Sequence, residues 1–395
     1  MFHRRPAALH QLAPDVGISM ARLTGIEGVS RSLLVSIVPL IALDSLGSKE
    51  MVSYAYLSGA IFTLCITLNL GHLERLLQRR WVVTLGGCFL ALAALLFHSG
   101  YAPAFVLGIG MRSAAASLFS VCVSLYIMDY IGKRDLTRVE SHRLVFAGSA
   151  WLIGPVSGIW LYENVSEGLV FALAAVFAGL MLIYFWKLRL APNTAINQAT
   201  SHAANPWRAV MRYMDQPKLR IAYSITLSRS CFWVALFIFG PIYVVEAGLP
   251  TWMAGVLLSF VSGLLLFSPI IRRSADRYGT RRIIMIGLII TGVSVISLGL
   301  LQSPRPLGLV FWVTGAMGGA MLDVLGNIPF MRTVKPRERV AMTAVFSTWR
   351  EGSELLTPAL VAIILIFAPI WYFYILLGIM HFFSAVTASY LPKRL

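Results

Sequence analysis

The sequence predicts an all-α polytopic membrane protein with twelve transmembrane helices in two six-helix, pseudo-symmetric halves. Of its 395 residues, 58% are hydrophobic and 13% are charged, whereas soluble domains are about 45–50% apolar and about 25% charged. The apolar residues come in runs of about 20, the length that crosses a hydrocarbon core ~30 Å thick. Neither glycine nor proline recurs at a fixed period. A soluble enzyme, a disordered chain and a collagen-like repeat are therefore excluded.

Twelve apolar runs, called spans 1 to 12 in chain order, lie between clusters of charged residues, glycine and proline. They cover residues 18–43, 51–70, 81–98, 103–130, 144–162, 167–186, 220–246, 251–271, 283–301, 307–331, 340–367 and 369–391. Each run should be a helix, because a helix satisfies its own backbone hydrogen bonds in lipid and an open strand does not.

The longest polar connection follows span 6 and divides the chain. We predict an N-terminal six-helix half at residues 1–186, a cytoplasmic linker at 187–219 and a C-terminal six-helix half at 220–395. In the linker, residues 207–214 place basic side chains on one helical face and apolar side chains on another. That pattern is typical of a short helix lying on a membrane surface, and a simple tether is the alternative.

Basic residues are concentrated in alternate connections between the spans. One set of connections holds pairs such as Arg79–Arg80, Arg272–Arg273 and Arg281–Arg282, and the other set holds only Lys49 and Arg305. This asymmetry is the positive-inside pattern. It predicts a multi-pass protein of the cytoplasmic (inner) membrane with both termini cytoplasmic. The net charge of +16 is then a consequence of topology, and we expect no nucleic-acid partner.

Cys65, Cys88, Cys122 and Cys231 all lie inside apolar runs. Their positions are typical of small buried hydrophobic residues and do not indicate a disulfide framework or a metal site. We therefore predict no metal and no cofactor.

The two halves share residues at a nearly constant offset. Residues 74–80 match residues 276–282, which lie 202 positions further on, and each segment follows the second span of its half. Pro39 matches Pro241 at the same offset. Such agreement predicts two repeats related by an axis along the membrane normal.

These motifs resemble those of the major facilitator superfamily of secondary transporters. Residues 276–282 combine an acid, an arginine, a glycine and a terminal basic pair, as in that family's loop between spans eight and nine. Residues 74–80 form a degenerate copy with glutamate in place of aspartate and no internal glycine. Arg112 resembles the family's arginine in span four, and residues 154–158 resemble the Gly-Pro motif of its antiporters. The resemblance covers the whole chain through its six-plus-six layout.

The resemblance implies that two loops change contacts during a conformational switch. Their candidate residues are Glu74, Arg75, Asp276, Arg277 and Gly279. Physical chemistry agrees, because glycine permits the positive φ of a sharp turn and an aspartate stabilises a neighbouring arginine or helix N-terminus. A basic loop that only sets topology is the alternative.

Gly154, Pro155 and Gly158 predict a bend or a close helix contact in span 5. Proline frees a backbone carbonyl of its own helix, and glycine lets a second helix approach. Ordinary packing of small residues is the alternative.

Several ionisable residues lie inside the spans, where each costs several kcal/mol unless it faces water or a partner. Glu27 and Arg31 are four residues apart on one face of span 1, in the favourable order for an ion pair. In the family, spans 1, 4, 7 and 10 line the central cavity. The resemblance therefore implies that the charged residues of these spans border the translocation path, while structural ion pairs that lock helices together are the alternative.

A carboxylate that loses its arginine partner in one conformation binds a proton there and releases it in the other. On this reasoning we predict Glu27 as the first candidate proton carrier and Asp323 as the second. The candidate substrate-binding residues are Arg31, Arg112, Arg229, Asn327, Arg350, Glu351 and Glu354. Arginines outnumber acids in the lining spans, which favours an anionic or zwitterionic solute.

The leading hypothesis is a secondary active transporter that moves a small organic solute by alternating access, as proton-coupled efflux (antiport), with no enzymatic activity. A proton-coupled importer (symporter) of an organic anion and a non-transporting membrane receptor or assembly factor are the alternatives. The chain has no phosphate-binding P-loop motif, which argues against a primary pump. We expect a monomer whose partners are its solute, protons and the lipid bilayer.

Overall fold

The structure is a computed structural model that describes residues 7–130, 136–188, 206–335 and 338–392. This part of the chain is helical and contains no strand, so the all-α prediction is confirmed. Most of the predicted linker, at residues 189–205, lies outside the described residues.

The first seven helices form spans 1 to 6. They are α1 (Ala7–Ser32), α2 (Ile37–Leu46), α3 (Lys49–Leu68), α4 (Leu70–His98), α5 (Ala102–Tyr130), α6 (Leu136–Asn164) and α7 (Glu167–Lys187). Helices α1 and α2 together form span 1, because the segment Gly17–Leu46 is long and apolar enough to cross a membrane.

Ten further helices of the described chain cover the end of the predicted linker and the predicted spans 7 to 12. They are α8 (Pro206–Met214), α9 (Pro217–Glu246), α10 (Trp252–Gly263), α11 (Ser268–Tyr278), α12 (Thr280–Leu300), α13 (Leu307–Leu325), α14 (Ile328–Thr333), α15 (Arg339–Ser347), α16 (Trp349–Phe367) and α17 (Trp371–Ala388).

Eleven segments of the described chain meet the length and hydropathy requirements of a membrane span. The predicted span 11 is not among them, because a break separates α15 from α16 and α16 carries Arg350, Glu351 and Glu354. Large apolar side chains such as Ile183, Val293 and Phe383 are exposed on the outside of their helices, as expected where lipid is the solvent.

The helices separate into two compact units. The first unit contains the described residues 7–38 and 61–188, and the second contains residues 39–60 together with the described residues from 206 onwards. The second unit therefore includes most of α2 and the first part of α3. The domain boundaries at 186 and 219 and the sidedness of the spans stay predictions.

Two of the four cysteines are not buried. Cys122 and Cys231 are buried free thiols, whereas Cys65 and Cys88 are exposed. The prediction that all four are buried was therefore wrong for two of them, because an apolar run does not distinguish the side of a helix that faces lipid from the side that faces protein.

Helix α8 has the two faces that the sequence predicts. Trp207 and Met211 are exposed on its apolar side, whereas Arg212 forms an ion pair with Glu338. The amide of Gln216 also donates to that carboxylate, at 2.9 Å. The hydrogen bond from Gln216, followed by that from Arg212, lowers the pKa of Glu338 below its ordinary value. The anchored basic side leaves the apolar side available to a membrane surface.

Candidate functional site

Span 1 is broken in the middle of the first unit. Helix α1 ends at Ser32 and α2 begins at Ile37. Between them the amide of Leu34 donates to the carbonyl of Arg31 at 3.3 Å, and the amide of Val35 donates to the carbonyl of Ser32 at 3.3 Å. These are the tighter i→i+3 bonds of a 3₁₀ turn, which often marks a functional hinge when it interrupts a long helix.

The Gly-Pro motif of α6 packs against this break. A Cβ atom at Gly158 would lie 1.9 Å from the carbonyl oxygen of Leu33, and a Cβ at Gly154 would lie equally close to a side chain of α1. The hydroxyl of Ser36 donates to the carbonyl of Pro155 at 2.9 Å. Helix α6 and the end of α1 approach so closely here that only glycine fits at residues 154 and 158.

A cluster of charged and aromatic side chains, called the N-cluster, lies at the break. Arg31 Nη1 lies 3.2 Å from Glu27 Oε1, as the four-residue spacing predicts, and the guanidinium carbon of Arg31 lies 5.6 Å from the ring centroid of Trp151. Arg112 Nη2 donates to the carbonyl of Arg31 at 2.9 Å. Arg112 therefore reaches from α5 to the last turn of α1.

The N-cluster presents positive charge to its surroundings. The Glu27 side chain is 7% exposed, whereas the Arg31 side chain is 27% exposed. The buried Nε of Arg31 has no hydrogen-bond partner among the described residues. Its planar guanidinium can therefore accept a further oxygen ligand while its other edge stays on Glu27.

A matching cluster, called the C-cluster, lies in the second unit. Arg229 Nε lies 3.3 Å from Asp323 Oδ1, and Arg229 Nη1 donates to the carbonyl of Leu322 at 3.4 Å. The guanidinium carbon lies 4.7 Å from the ring centroid of Trp349. The C-cluster thus joins α9, α13 and α16.

In the C-cluster the acid is more exposed than the arginine, whereas in the N-cluster the arginine is more exposed than the acid. The Arg229 side chain is 6% exposed, and the Asp323 side chain is 25% exposed. The more exposed group of the C-cluster is therefore the carboxylate of Asp323, and a carboxylate can exchange a proton.

Span 10 is also broken, directly after the C-cluster. Helix α13 ends at Leu325 and α14 begins at Ile328. A Cβ atom at Gly326 would lie 3.8 Å from Arg229 Nη1. The Oδ1 atom of Asn327 is buried and has no hydrogen-bond partner in the described part of the chain. Asn327 can therefore accept a hydrogen bond from a bound solute, the role predicted for it.

Helix α16 carries the other predicted substrate residues. The guanidinium carbon of Arg350 lies 5.5 Å from the ring centroid of Trp349, and Glu351 and Glu354 are half-buried. Their roles in substrate binding stay predictions.

The loop between α11 and α12 turns at a glycine. Gly279 has φ +93°, which meets the expectation that this turn needs a residue without Cβ. Asp276 and Arg277 are exposed beside it. Arg281 Nη1 donates to the carbonyls of Ser389 at 3.1 Å and Leu391 at 2.8 Å. The loop is thereby tied to the end of α17, a contact that the sequence analysis missed.

The degenerate first copy has a different geometry. Arg79 Nε donates to Glu74 Oε1 at 3.0 Å, and the guanidinium carbon of Arg79 lies 5.4 Å from the ring centroid of Tyr126. Gln78 interrupts α4 with φ 60° and ψ 149°. The Arg75 side chain lies outside the described part of the structure. The first copy therefore turns at a residue with a Cβ, one position away from the equivalent of Gly279.

Replacing Gln78 by glycine should stabilise the protein. Residues other than glycine pay about 1–3 kcal/mol in this backbone region, and the added freedom of the unfolded chain offsets about 1 kcal/mol of that gain. Thermal unfolding in detergent should show a higher Tm for Gln78→Gly. The control Leu77→Gly, one residue earlier in the same helix, should lower Tm. A lower Tm for both variants would contradict the assignment of strain to Gln78.

An ion pair that the sequence analysis missed lies in the second unit. Lys49 Nζ is 2.7 Å from Glu246 Oε1 and 5.8 Å from the ring centroid of Trp371. It joins the start of α3 to the end of α9. One feature of the sequence could have indicated this ion pair, because Lys49 is one of only two basic residues in its set of connections.

The sequence matches the family model of the Major Facilitator Superfamily over residues 22–272 and 256–394. The chain belongs to the Major Facilitator Superfamily. The resemblance predicted from its motifs is therefore confirmed, and transport is the activity of this superfamily.

Two curated relatives of this superfamily member are named for multidrug resistance, and one of them is named an efflux pump. The multi-drug resistance efflux pump PmrA homolog of Lactococcus lactis subsp. lactis (strain IL1403) is 27% identical over 113 residues, which are 26% of this chain and 27% of the relative. The multidrug resistance protein MdtG of Klebsiella pneumoniae (strain 342) is 27% identical over 196 residues, 46% of this chain and 45% of the relative. The alignments thus span less than half of either relative.

Solved structures with the Major Facilitator Superfamily fold match almost the whole chain. The nucleoside transporter NupG has a TM-score of 0.68 at 14% identity and covers 94% of this chain and 97% of its own. The D-xylose-proton symporter has a TM-score of 0.68 at 15% identity, with 96% and 97% covered. A POT family transporter in complex with 5-aminolevulinic acid has a TM-score of 0.73 at 13% identity, with 98% and 96% covered. At these identities the likeness concerns the fold alone.

Proposed function

We propose that this transporter exports a small organic solute by alternating access and couples export to the entry of protons. The observation that carries the proposal is the C-cluster, in which a partly exposed carboxylate and a buried arginine meet at the break of a membrane span. Substrate and ion sites of secondary transporters are typically formed by such discontinuous helices near the middle of the bilayer.

Asp323 is the better candidate for the proton carrier, and this reverses the order predicted from the sequence. Its side chain is 25% exposed and lies 3.3 Å from Arg229, whereas Glu27 is 7% exposed and paired with Arg31. A nearby arginine favours the ionised carboxylate, and burial without it favours the protonated form. A movement that separates Asp323 from Arg229 would therefore load a proton, and their return would release it.

The groups around the two clusters suit a solute with an aromatic or planar part. Trp151 and Trp349 each lie against an arginine, and such a pair offers a flat face beside a charge. In the C-cluster, Asn327 adds a buried acceptor. The export direction is supported by the name of the Lactococcus lactis relative, an efflux pump, and by the Gly-Pro motif of α6.

A proton-coupled importer of an organic anion is the second candidate. The specific observation in its favour is the partly exposed Arg31, because a guanidinium binds a carboxylate or phosphate through two parallel hydrogen bonds.

The test is solute flux in proteoliposomes with an imposed pH gradient. Ethidium serves as a planar cationic probe and carboxyfluorescein as an anionic one. We expect gradient-driven movement of at least one probe by the native protein and none by Asp323→Asn, which cannot carry a proton. The matched control is Asp44→Asn, because Asp44 is an exposed acid that belongs to neither cluster.

The outcomes separate the candidates. Movement of ethidium against its gradient by antiport supports export, and accumulation of carboxyfluorescein with protons supports import. Unchanged gradient-driven flux in Asp323→Asn, together with loss in Glu27→Gln, would return the proton to the N-cluster. A folded protein that moves neither these probes nor a broader solute panel would favour the receptor or assembly-factor alternative.

A further inference from the structure

The first unit contains a cleft that neither the clusters nor the loops use. It has a volume of about 540 Å³ and is lined by residues of α1, α6 and α7. Ile153, in the middle of span 5, lines it and is 61% exposed. The cleft is thus open at the depth of the hydrocarbon core, and its volume is in the range of small-molecule sites.

The interior of the cleft suits a hydrocarbon chain better than water. Its lining is almost wholly apolar, with Phe146 and Phe177 among its walls. The hydroxyls of Ser149 and Ser157 donate to carbonyls of their own helix, at 2.9 and 2.8 Å. An ordered water needs two to four polar partners, and such partners are scarce here.

One end of the cleft is cationic. Arg22 lines it and is exposed. Arg22 precedes Leu33, another lining residue, by eleven positions, which is ~16 Å along a helix. Tyr184 lines the cleft from the last turn of α7, and the exposed Lys187 lies one turn beyond it. The described residues that line the cleft include no acid, and Arg22 and Lys187 both belong to the predicted cytoplasmic end of their spans.

We propose that this cleft binds an anionic phospholipid of the inner leaflet, with an acyl chain between α6 and α7 and the phosphate on Arg22. An apolar channel with a cation at its leaflet-facing end matches such a lipid in both polarity and charge. Because the described lining offers a cation and no carboxylate, phosphatidylglycerol, with its net negative charge, should bind better than phosphatidylcholine. The proposal does not depend on the direction or coupling of transport.

The bound lipid would also stabilise the first unit. Gly154, one of the residues that hold the break in span 1, also lines the cleft. A ligand that binds only the folded state raises its stability, so phosphatidylglycerol should raise the Tm of the delipidated protein more than phosphatidylcholine does.

Native mass spectrometry of the delipidated full chain tests the proposal, with the two lipids titrated separately. We expect a saturable phosphatidylglycerol adduct, weakened about fivefold by Arg22→Gln and restored by Arg22→Lys. The control Arg272→Gln removes an exposed arginine of α11 and should leave the adduct unchanged. Ser149→Trp, a substitution at an exposed lining position, should fill the cleft and reduce the binding of phosphatidylglycerol.

Three results would contradict the proposal. The first is equal affinity for the two lipids in the native protein. The second is an equal effect of Arg22→Gln and Arg272→Gln, since that would assign the binding to general surface charge. The third is a failure of the charge-conserving Arg22→Lys to restore the adduct. This variant keeps the test valid if Arg22→Gln fails to fold.

Discussion

Gly158→Ala should prevent assembly of the first unit. The added Cβ would lie 1.9 Å from the carbonyl oxygen of Leu33, and this neighbour is backbone, which cannot rotate away as a side chain can. Helices α1 and α6 would have to separate, with loss of the Ser36–Pro155 hydrogen bond. We expect a loss of more than about 4 kcal/mol in stability, measured as the yield of monodisperse protein and its Tm in detergent.

The matched control for this experiment is Gly148→Ala in the same helix. A Cβ at Gly148 would have no atom within 4 Å, and alanine is favoured over glycine inside a helix by about 1 kcal/mol. The control should therefore be as stable as the native protein or slightly more stable. Equal behaviour of the two variants would show that α1 and α6 do not pack closely at Gly158.

Removing the carboxylate of Asp323 should destabilise the second unit and stop transport. In Asp323→Leu the buried Arg229 keeps its charge and loses its partner. Breaking a buried ion pair in this way costs about 3 kcal/mol or more. The exposure of Asp323 moderates the loss, since solvent can partly replace the carboxylate. The measurement is Tm in detergent, with gradient-driven flux measured on the same preparations.

The double variant Arg229→Met/Asp323→Leu separates stability from function. Replacing both partners by apolar residues of similar size is often neutral or stabilising, so the Tm should return towards the native value. Under the proposed mechanism the double variant has no proton carrier and stays inactive. A stable double variant that still transports with the pH gradient would make the pair purely structural.

Composition and charge asymmetry were sufficient to predict the all-α class and most of the spans. Local spacing also predicted contacts within one helix, as for Glu27 and Arg31 at 3.2 Å. The need for positive φ at Gly279 follows from the glycine itself and the short loop around it. For the Glu27–Arg31 pair and the turn at Gly279, the physical cause lies within a few residues of the chain.

The rest of the candidate site depends on contacts between distant residues. Nothing near Arg229 in the sequence indicates that its partner is Asp323, 94 positions away. The break in span 1, at residues 33–36, has a local signal in Pro39, which has no N–H to donate to the carbonyl of Val35 and whose ring crowds that carbonyl. The close approach of α6 accompanies that break, and a hydropathy pattern cannot report it. The break within the predicted span 11 was missed, because the apolar run was counted across the boundary between α15 and α16.

The Lys49–Glu246 pair should make the transporter sensitive to the ionic strength on the predicted outer face. The two side chains are 20% and 28% exposed, so dissolved ions can reach and screen them. A partly exposed pair contributes about 1 kcal/mol or less, which is enough to change the ratio of two nearly balanced conformations several-fold. The joined arrangement of α3 and α9 should therefore be favoured in dilute surroundings and lose population as external ionic strength rises.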